Sequence, residues 1–346
     1  MTQPPLTGSG VAVVRRPNRV RAAWLLALLA ITVGLCVLSV TVGSRAVPVD
    51  EILAALGGAQ SNLDQAAAGQ RIPRTVLALL IGAALGVAGG VMQGVTRNPL
   101  ADPGILGVNM GASLAIVMGI AWFGLASASG YIWAAIVGAA IAAVFVYAVG
   151  SLGRGGATPL KLALAGAATS AALVSFVTAI YLPRGDIADN VRSWLIGGVG
   201  GATWPSASLV LPFLIVGFVV SLLSARSLNT LALGDDLAAG LGERVAVARA
   251  VASLGAVLLC GAATAAAGPI AFVGLVVPHA CRLLVGVDHR WLLPFSAVAG
   301  AALVVASDVV GRVIARPAEI DVGIITALVG GPFFVAIVRR QKVKSL

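Results

Sequence analysis

Apolar residues fall along this chain in long runs, separated by short stretches that are polar or carry glycine and proline. The first run, Ala22 to Val42, follows Arg15, Arg16, Arg19 and Arg21. About 20 helical residues at 1.5 Å each cross a hydrocarbon core ~30 Å thick, so this run predicts a membrane span. Its length, and the lack of a clean small-x-small cleavage site, favour a retained span over a cleaved signal peptide. Further runs at 75–95, 104–124, 131–150, 160–181, 206–224, 246–267, 269–285, 292–310 and 321–338 bring the expected total to ten. Glycine and proline blur the boundaries near Pro103 and Gly268-Pro269. Residues 191–200 are too short to span and predict a short helix at the membrane surface.

One polar interruption, residues 225–249, divides the apolar runs into two similar blocks. It carries adjacent acids, Asp235 and Asp236, and three spaced glycines, Gly234, Gly240 and Gly242. Leu228, Leu231, Leu233, Leu237 and Leu241 are threaded through it. A loop that only had to stay wet would not need those leucines. The pattern predicts one short helix starting near Asn229 and ending at Gly234, then a second capped by Asp235 or Asp236. Leu237 and Leu241 share a face of the second, and Gly242 is its stop. Such a pair fits a groove on a soluble partner, and the rival reading is an interfacial loop resting on lipid.

Composition sharpens the class. Of 346 residues, 59% are apolar and 10% charged, with mean hydropathy +1.01. Soluble domains carry about 25% charged residues. The expected fold is an all-α polytopic membrane protein with ten transmembrane helices. With the N-terminus inside, most of the 23 Lys and Arg residues fall on the cytoplasmic side, as orientation by positive charge requires. Both termini and residues 225–249 are then cytoplasmic, and the net charge of +10 needs no nucleic acid partner. Gly82-Ala83-Ala84 with Ala88-Gly89 is echoed by Gly261-Ala262-Ala263 with Ala267-Gly268, and Pro99 and Gly107 by Pro278 and Gly286 at the same offset. The matching spans run in opposite directions, so the echo predicts an inverted internal repeat. No lysine follows a glycine, which removes the phosphate-loop route to ATP hydrolysis. Cys36, Cys260 and Cys281 lie in apolar runs, and neither they nor His279 and His289 have metal-ligand spacing.

Four stretches carry potential chemistry. In Arg71-Ile72-Pro73-Arg74, Pro73 suits a helix's first turn, and the arginines are either snorkelling anchors or a cationic docking point for an acidic partner. Residues 97–107 specify a rigid turn in which Asn98 or Asp102 caps the next helix. Gly268-Pro269 and Pro278 interrupt the helical backbone at membrane depth, beside His279 and Arg282. Asp308 and Arg312, one turn apart, form an ion pair near the outer surface. So few intramembrane acids argue against proton or ion coupling.

Together these stretches resemble the FecCD family of permeases, membrane subunits of ATP-binding-cassette importers for ferric siderophores, haem and vitamin B12. The resemblance rests on RIPR at 71–74, the glycine-rich run into Met92-Gln93, NPLADPGILG at 98–107 and GPIAFVGLVVPHACR at 268–282. DHRWLLPFSAVAGA at 288–301, ASDVVGR at 306–312 and VGIITALVGGPFF at 322–334 complete it. It spans about residues 20 to 340, leaving 1–20 as an expected disordered cytoplasmic tail before a single permease domain at 21–346.

The resemblance implies a non-catalytic subunit that binds no cofactor or metal. It pairs with a second permease around a central path. Two ATPase subunits, holding ATP and Mg, dock on its cytoplasmic face, and an extracytoplasmic binding protein delivers the ligand. Arg71, Arg74 and Arg312 match the arginines that meet the binding protein's glutamates in the family's vitamin B12 importer. Leu228, Leu231, Leu233, Gly234, Asp235, Asp236, Leu237, Leu241 and Gly242 match the ATPase-contacting helices. Thr169, Ser170, Ser175 and Thr178, on the fifth span, are candidate liners of the path. The expected cargo is a ferric siderophore, with haem or vitamin B12 as alternatives. An ion-coupled secondary transporter and a non-transporting assembly or sensor subunit are the readings from other classes.

Overall fold

A computed structural model describes residues 17–43, 47–57, 62–104, 106–153 and 158–343. Every regular element among them is a helix. In chain order these are α1 (Asn18–Thr41), α2 (Val49–Leu56), α3 (Leu63–Thr96), α4 (Val108–Phe123), α5 (Ala128–Ser151), α6 (Pro159–Tyr181) and α7 (Ala188–Ile196). There follow α8 (Trp204–Leu223), α9 (Ala225–Leu231), α10 (Asp235–Gly240), α11 (Val245–Ala267), α12 (Val273–Val285), α13 (His289–Ile314) and α14 (Val322–Val343). Seven of them, α1, α3, α5, α6, α8, α11 and α13, are long and apolar enough to cross a membrane. The shorter apolar helices α4, α12 and α14 occupy the remaining predicted runs, and α7 is the expected short helix. Residues 1–16 of the expected tail and Ile105 of the 98–107 motif lie outside the described residues. The last positions of the expected tail, 18–20, are helical, because α1 begins at Asn18.

Two boundaries differ from the sequence reading. Pro73 does not open a helix. α3 starts at Leu63, where the Asn62 side chain accepts a hydrogen bond from the Gln65 amide at 2.8 Å, and Pro73 sits well inside. Its ring removes the bond to the carbonyl four residues back. Residues 63–74 look too polar to span, yet their alanines are strong helix formers, and hydropathy alone misses that extension. Pro278 likewise lies within a continuous α12 and does not break it. The break falls entirely at 268–272, where Gly268 and Phe272 both take positive φ.

α3 is the buried axis of the bundle and packs on α13, α11 and α12. Glycine sets how close these helices come. A methyl group added at Gly82 would strike the Gly300 carbonyl, and one at Gly89 the Gly274 backbone. Lipid tails supply no hydrophobic drive for helix association, so close backbone approach through small residues is what makes these seams tight. α1 and α6 bury few of their residues inside the chain, which leaves surface for lipid.

Candidate functional site

Chemistry gathers at two opposite ends of the bundle. At one end, α3 and α13 bring together the arginines singled out from the sequence. Arg74 donates from Nε and a terminal nitrogen to Asp308 Oδ1 at 2.9 and 2.7 Å, and from its other terminal nitrogen to Glu319 Oε2 at 2.7 Å. Arg312 meets the other oxygen of Asp308 at 2.8 Å, as the i,i+4 spacing predicts. It also donates to the Ser39 carbonyl at 2.9 Å and to Ser39 Oγ at 2.7 Å. Arg71 donates to the carbonyl of Val40 at 3.1 Å, closing on the last turn of α1.

This network is internal. Asp308 is 1% exposed, Arg312 2% and Arg71 7%, whereas Glu319 is exposed. The buried Asp308 carboxylate is shared by two guanidiniums, Glu319 adds a second negative charge beside Arg74, and carbonyls at the end of α1 accept from Arg71 and Arg312. Arg71 and Arg74 therefore do not snorkel. Sequence reasoning missed Ser39 and Glu319. Neither carries a local signal, because both come from elements distant along the chain.

At the other end lies the interruption between the two blocks. Its first helix, α9, begins at Ala225, so Asn229 is inside it and not at its start. Gly234 is the turning point, at φ 107° and ψ 157°, a region open essentially to glycine alone. Neither Asp235 nor Asp236 caps α10 through its side chain. Gly234 occupies that position, and the acids sit in the first turn, where the helix dipole favours them. Asp235 instead pairs with Arg97 at 3.0 Å and Arg249 at 2.8 Å, tying α10 to the ends of α3 and α11. Gly242 stops the second helix as expected. At φ 86° it donates to the Ala239 carbonyl at 2.9 Å, and the next amide, of Glu243, reaches Ala238 at 3.0 Å.

The leucines divide into two sets. Leu228 and Leu231 are fully buried and anchor α9 to the bundle, while Leu233, Leu237 and Leu241 are exposed. Beside them, Asn229 bridges α9 to the start of α13 through Asp288 and His289. Burial works to raise the Asp288 carboxyl, but hydrogen bonds from Asn229 and the Arg290 amide hold it below the usual aspartate range.

The 97–107 turn is shaped as expected but not capped as expected. Asn98 Oδ1 accepts from the Leu100 amide at 2.9 Å and Asp102 Oδ1 from the Gly104 amide at 2.7 Å. α4 then starts behind Gly107, at φ 76°, with no side-chain cap. Asn and Asp bond their own backbone two residues on, and that local turn wins over capping. On α6, Ser170 reaches the Gly104 carbonyl at 3.4 Å, while Ser175 and Thr178 bond back to their own helix. Thr169 is half-buried near Gly107.

The profile of the FecCD transport family matches residues 28–340. The chain belongs to the FecCD transport family. Among similar proteins, the ferric enterobactin transport system permease protein FepD of Escherichia coli K12 is 43% identical, covering 96% of this chain and 98% of its own. The hemin transport system permease protein HmuU of Yersinia pestis is 40% identical over 79% of this chain and 82% of its own. The cobalamin import system permease protein BtuC of Halobacterium salinarum is 41% identical over 80% of this chain and 74% of its own. A solved structure described as an inward-facing metal-chelate type ABC transporter superposes with TM-score 0.79 at 27% identity, covering 92% of this chain and 99% of that one. This FecCD member is a multi-pass protein of the inner membrane.

Proposed function

We propose that this chain is the permease subunit of an ATP-driven importer that carries a ferric siderophore inward. The α9–α10 hinge carries the reading. It is a short helical pair fixed to the bundle by buried leucines and two ion pairs, with an apolar set, Leu233, Leu237 and Leu241, left exposed. Exposed leucines on a rigid, polar-flanked element suit a groove on a separate ATPase subunit, which holds the ATP and Mg. In this reading the ten apolar helices span the membrane as an inverted repeat with both termini cytoplasmic. A second permease copy or sister chain completes the path.

Arg71, Arg74 and Arg312 lie at the opposite end, where an extracytoplasmic binding protein delivers the cargo. Because they are held by Asp308 and Ser39, their contribution is to shape and charge that surface, with Arg74 and Glu319 closest to an incoming partner. Thr169, Ser170, Ser175 and Thr178 line the path on α6. Ferric siderophore is preferred because the ferric enterobactin permease aligns over nearly the whole of both chains. Haem or cobalamin is the alternative, supported by similar identity to the hemin and cobalamin permeases.

Proteoliposomes holding the permease, its ATPase and its loaded binding protein test this. Uptake of a ferric siderophore should require ATP and all three components. Uptake without the ATPase, or driven by a proton gradient, would sink the proposal. Preferential competition by haem or cobalamin would move the cargo to the alternative.

A further inference from the structure

Asn229 lies one position beyond a fully buried anchor of α9, yet its side chain does no work within that helix. Its Nδ2 donates to Asp288 Oδ1 at 2.7 Å. Its Oδ1 accepts from the His289 backbone amide at 2.9 Å and lies 2.8 Å from His289 Nδ1. Asp288 is the residue that caps α13, its Oδ1 also accepting from the Arg290 amide at 3.1 Å. The side chain of one helix thus completes the N-terminus of another. Only a side chain with a donor and an acceptor on one carbon serves both sites. A carboxylate would face Asp288 with like charge, and an aliphatic group would leave the Asp288 oxygen and the His289 amide without these partners.

α13 then runs about 39 Å, at 1.5 Å for each of its 26 residues, to the far end of the bundle. There Asp308 and Arg312 form the buried network with Arg74 and Ser39. Along the way it packs on α3 through glycine, and α3 itself ends at Arg97, which holds Asp235 of α10. The hinge is therefore joined to both members of the tightest helix pair. α9 also packs against α13, but among the described residues their hydrogen-bonded joint runs through the Asn229 side chain.

We propose that Asn229 is the positioning residue that fastens the ATPase-docking hinge to α13, so that hinge movement and the arginine network at the opposite end shift together. This rests on the proposed ABC importer function. Leu228 and Leu231 already hold α9 by packing, which tolerates sliding. The amide adds a directional bond to one helix end, and coupling between distant sites needs an element with a defined arrangement. Reciprocity follows, since occupation of either end then biases the other by the same factor.

The test uses the full complex in proteoliposomes and reads the stimulation of ATP hydrolysis by loaded binding protein. Asn229→Asp keeps size but sets two carboxylates together, and stimulation should fall roughly tenfold, within the usual range of coupling between sites. Adding Asp288→Asn restores a donor–acceptor pair in reverse, and the double variant should recover stimulation to within about twofold. ATPase binding and thermal unfolding of the permease should stay near wild type in both. Wild-type stimulation in Asn229→Asp overturns the proposal, as does failure of the double variant to recover while its unfolding temperature is normal. A parallel fall in stability and stimulation, restored together by the second substitution, also overturns it and leaves a structural staple only. If the wild-type complex shows no ATPase stimulation at all, it is the importer reading that fails, and this proposal falls with it.

Discussion

Gly86 of α3 faces Ser296 of α13 so closely that a methyl group on Gly86 would collide with the Ser296 carbonyl oxygen. One turn away, Gly82 and Gly300 stand in the same relation from both sides. These contacts form a seam in which backbone meets backbone with no side chain to give way. Gly86→Ala should therefore cost about 1–3 kcal/mol, the range for overpacking a tight interior. Thermal unfolding in detergent micelles reads this directly. Gly34→Ala on α1, where nothing lies within 4 Å of the added carbon, is the control and should stay within about 0.5 kcal/mol of wild type.

Asp308 lies between Arg74 and Arg312 and pairs with both. Asp308→Asn keeps the shape but takes from Arg312 its carboxylate partner and leaves Arg74 only the exposed Glu319, and loss of one partner of a buried pair costs about 3–5 kcal/mol. Glu319→Gln removes the exposed partner of Arg74 and should cost at most about 1 kcal/mol. Comparing the two unfolding temperatures checks the assignment. Equal losses would mean that burial does not set the weight of the ion pairs.

Much of this was readable from the residues, and most of the missed partners share a cause. Runs of apolar residues located every long helix, and Gly234 and Gly242 marked the turn and the stop of the hinge, since only glycine relieves those backbone angles. The spacing of Asp308 and Arg312 predicted their pair. What spacing along one helix does not reveal is who arrives from elsewhere. Arg74 comes to Asp308 from α3, Ser39 to Arg312 from α1, and Arg97 and Arg249 to Asp235 from two helices. The expected cap at Asp235 failed for that reason, and the one at Asp102 for a local one. Each carboxylate had a better partner, distant in one case and its own backbone in the other.

Docking by the arginines needs a variant that spares the fold, because reversing Arg71 or Arg74 to Glu would put a carboxylate inside the network around Asp308. Arg74→Lys keeps the charge but loses the fork that spans Asp308 and Glu319. The permease in nanodiscs should remain folded, and its affinity for loaded binding protein should fall about three- to tenfold at low salt, less at high salt. An unchanged affinity would leave Arg74 a structural residue alone.

Burial sorts the hinge leucines into two experiments. Leu228→Ala opens a hole beneath α9 and should cost about 2–5 kcal/mol of permease stability. Leu237→Ser with Leu241→Ser changes only exposed side chains and should leave unfolding unaltered. The same pair should weaken co-purification with the ATPase by at least roughly tenfold, the effect of losing apolar anchors at an interface. Normal assembly of the double serine variant would show that this face rests on lipid, the rival reading of the interruption.

Gly234 gives the most specific test of the hinge as a mechanical part. Its φ of 107° with ψ of 157° is strained for any residue with a Cβ, by about 1–3 kcal/mol. Space is not the obstacle, since only an Arg97 nitrogen lies near an added carbon, at 3.7 Å. Gly234→Ala should thus act through backbone geometry, turning α10 away from Arg97 and Arg249 while Leu228 and Leu231 keep α9 seated. The bundle should unfold near its normal temperature, since the strain is local and solvent-side. Transport per ATP hydrolysed should fall several-fold, because the exposed Leu237 on α10 and Leu241 at its end no longer face the partner in register with α9. Gly240→Ala, inside α10 with open space around it and no positive φ, should couple normally. If both variants transport at the wild-type ratio, the stretch is a connector, and the exposed leucines need another partner.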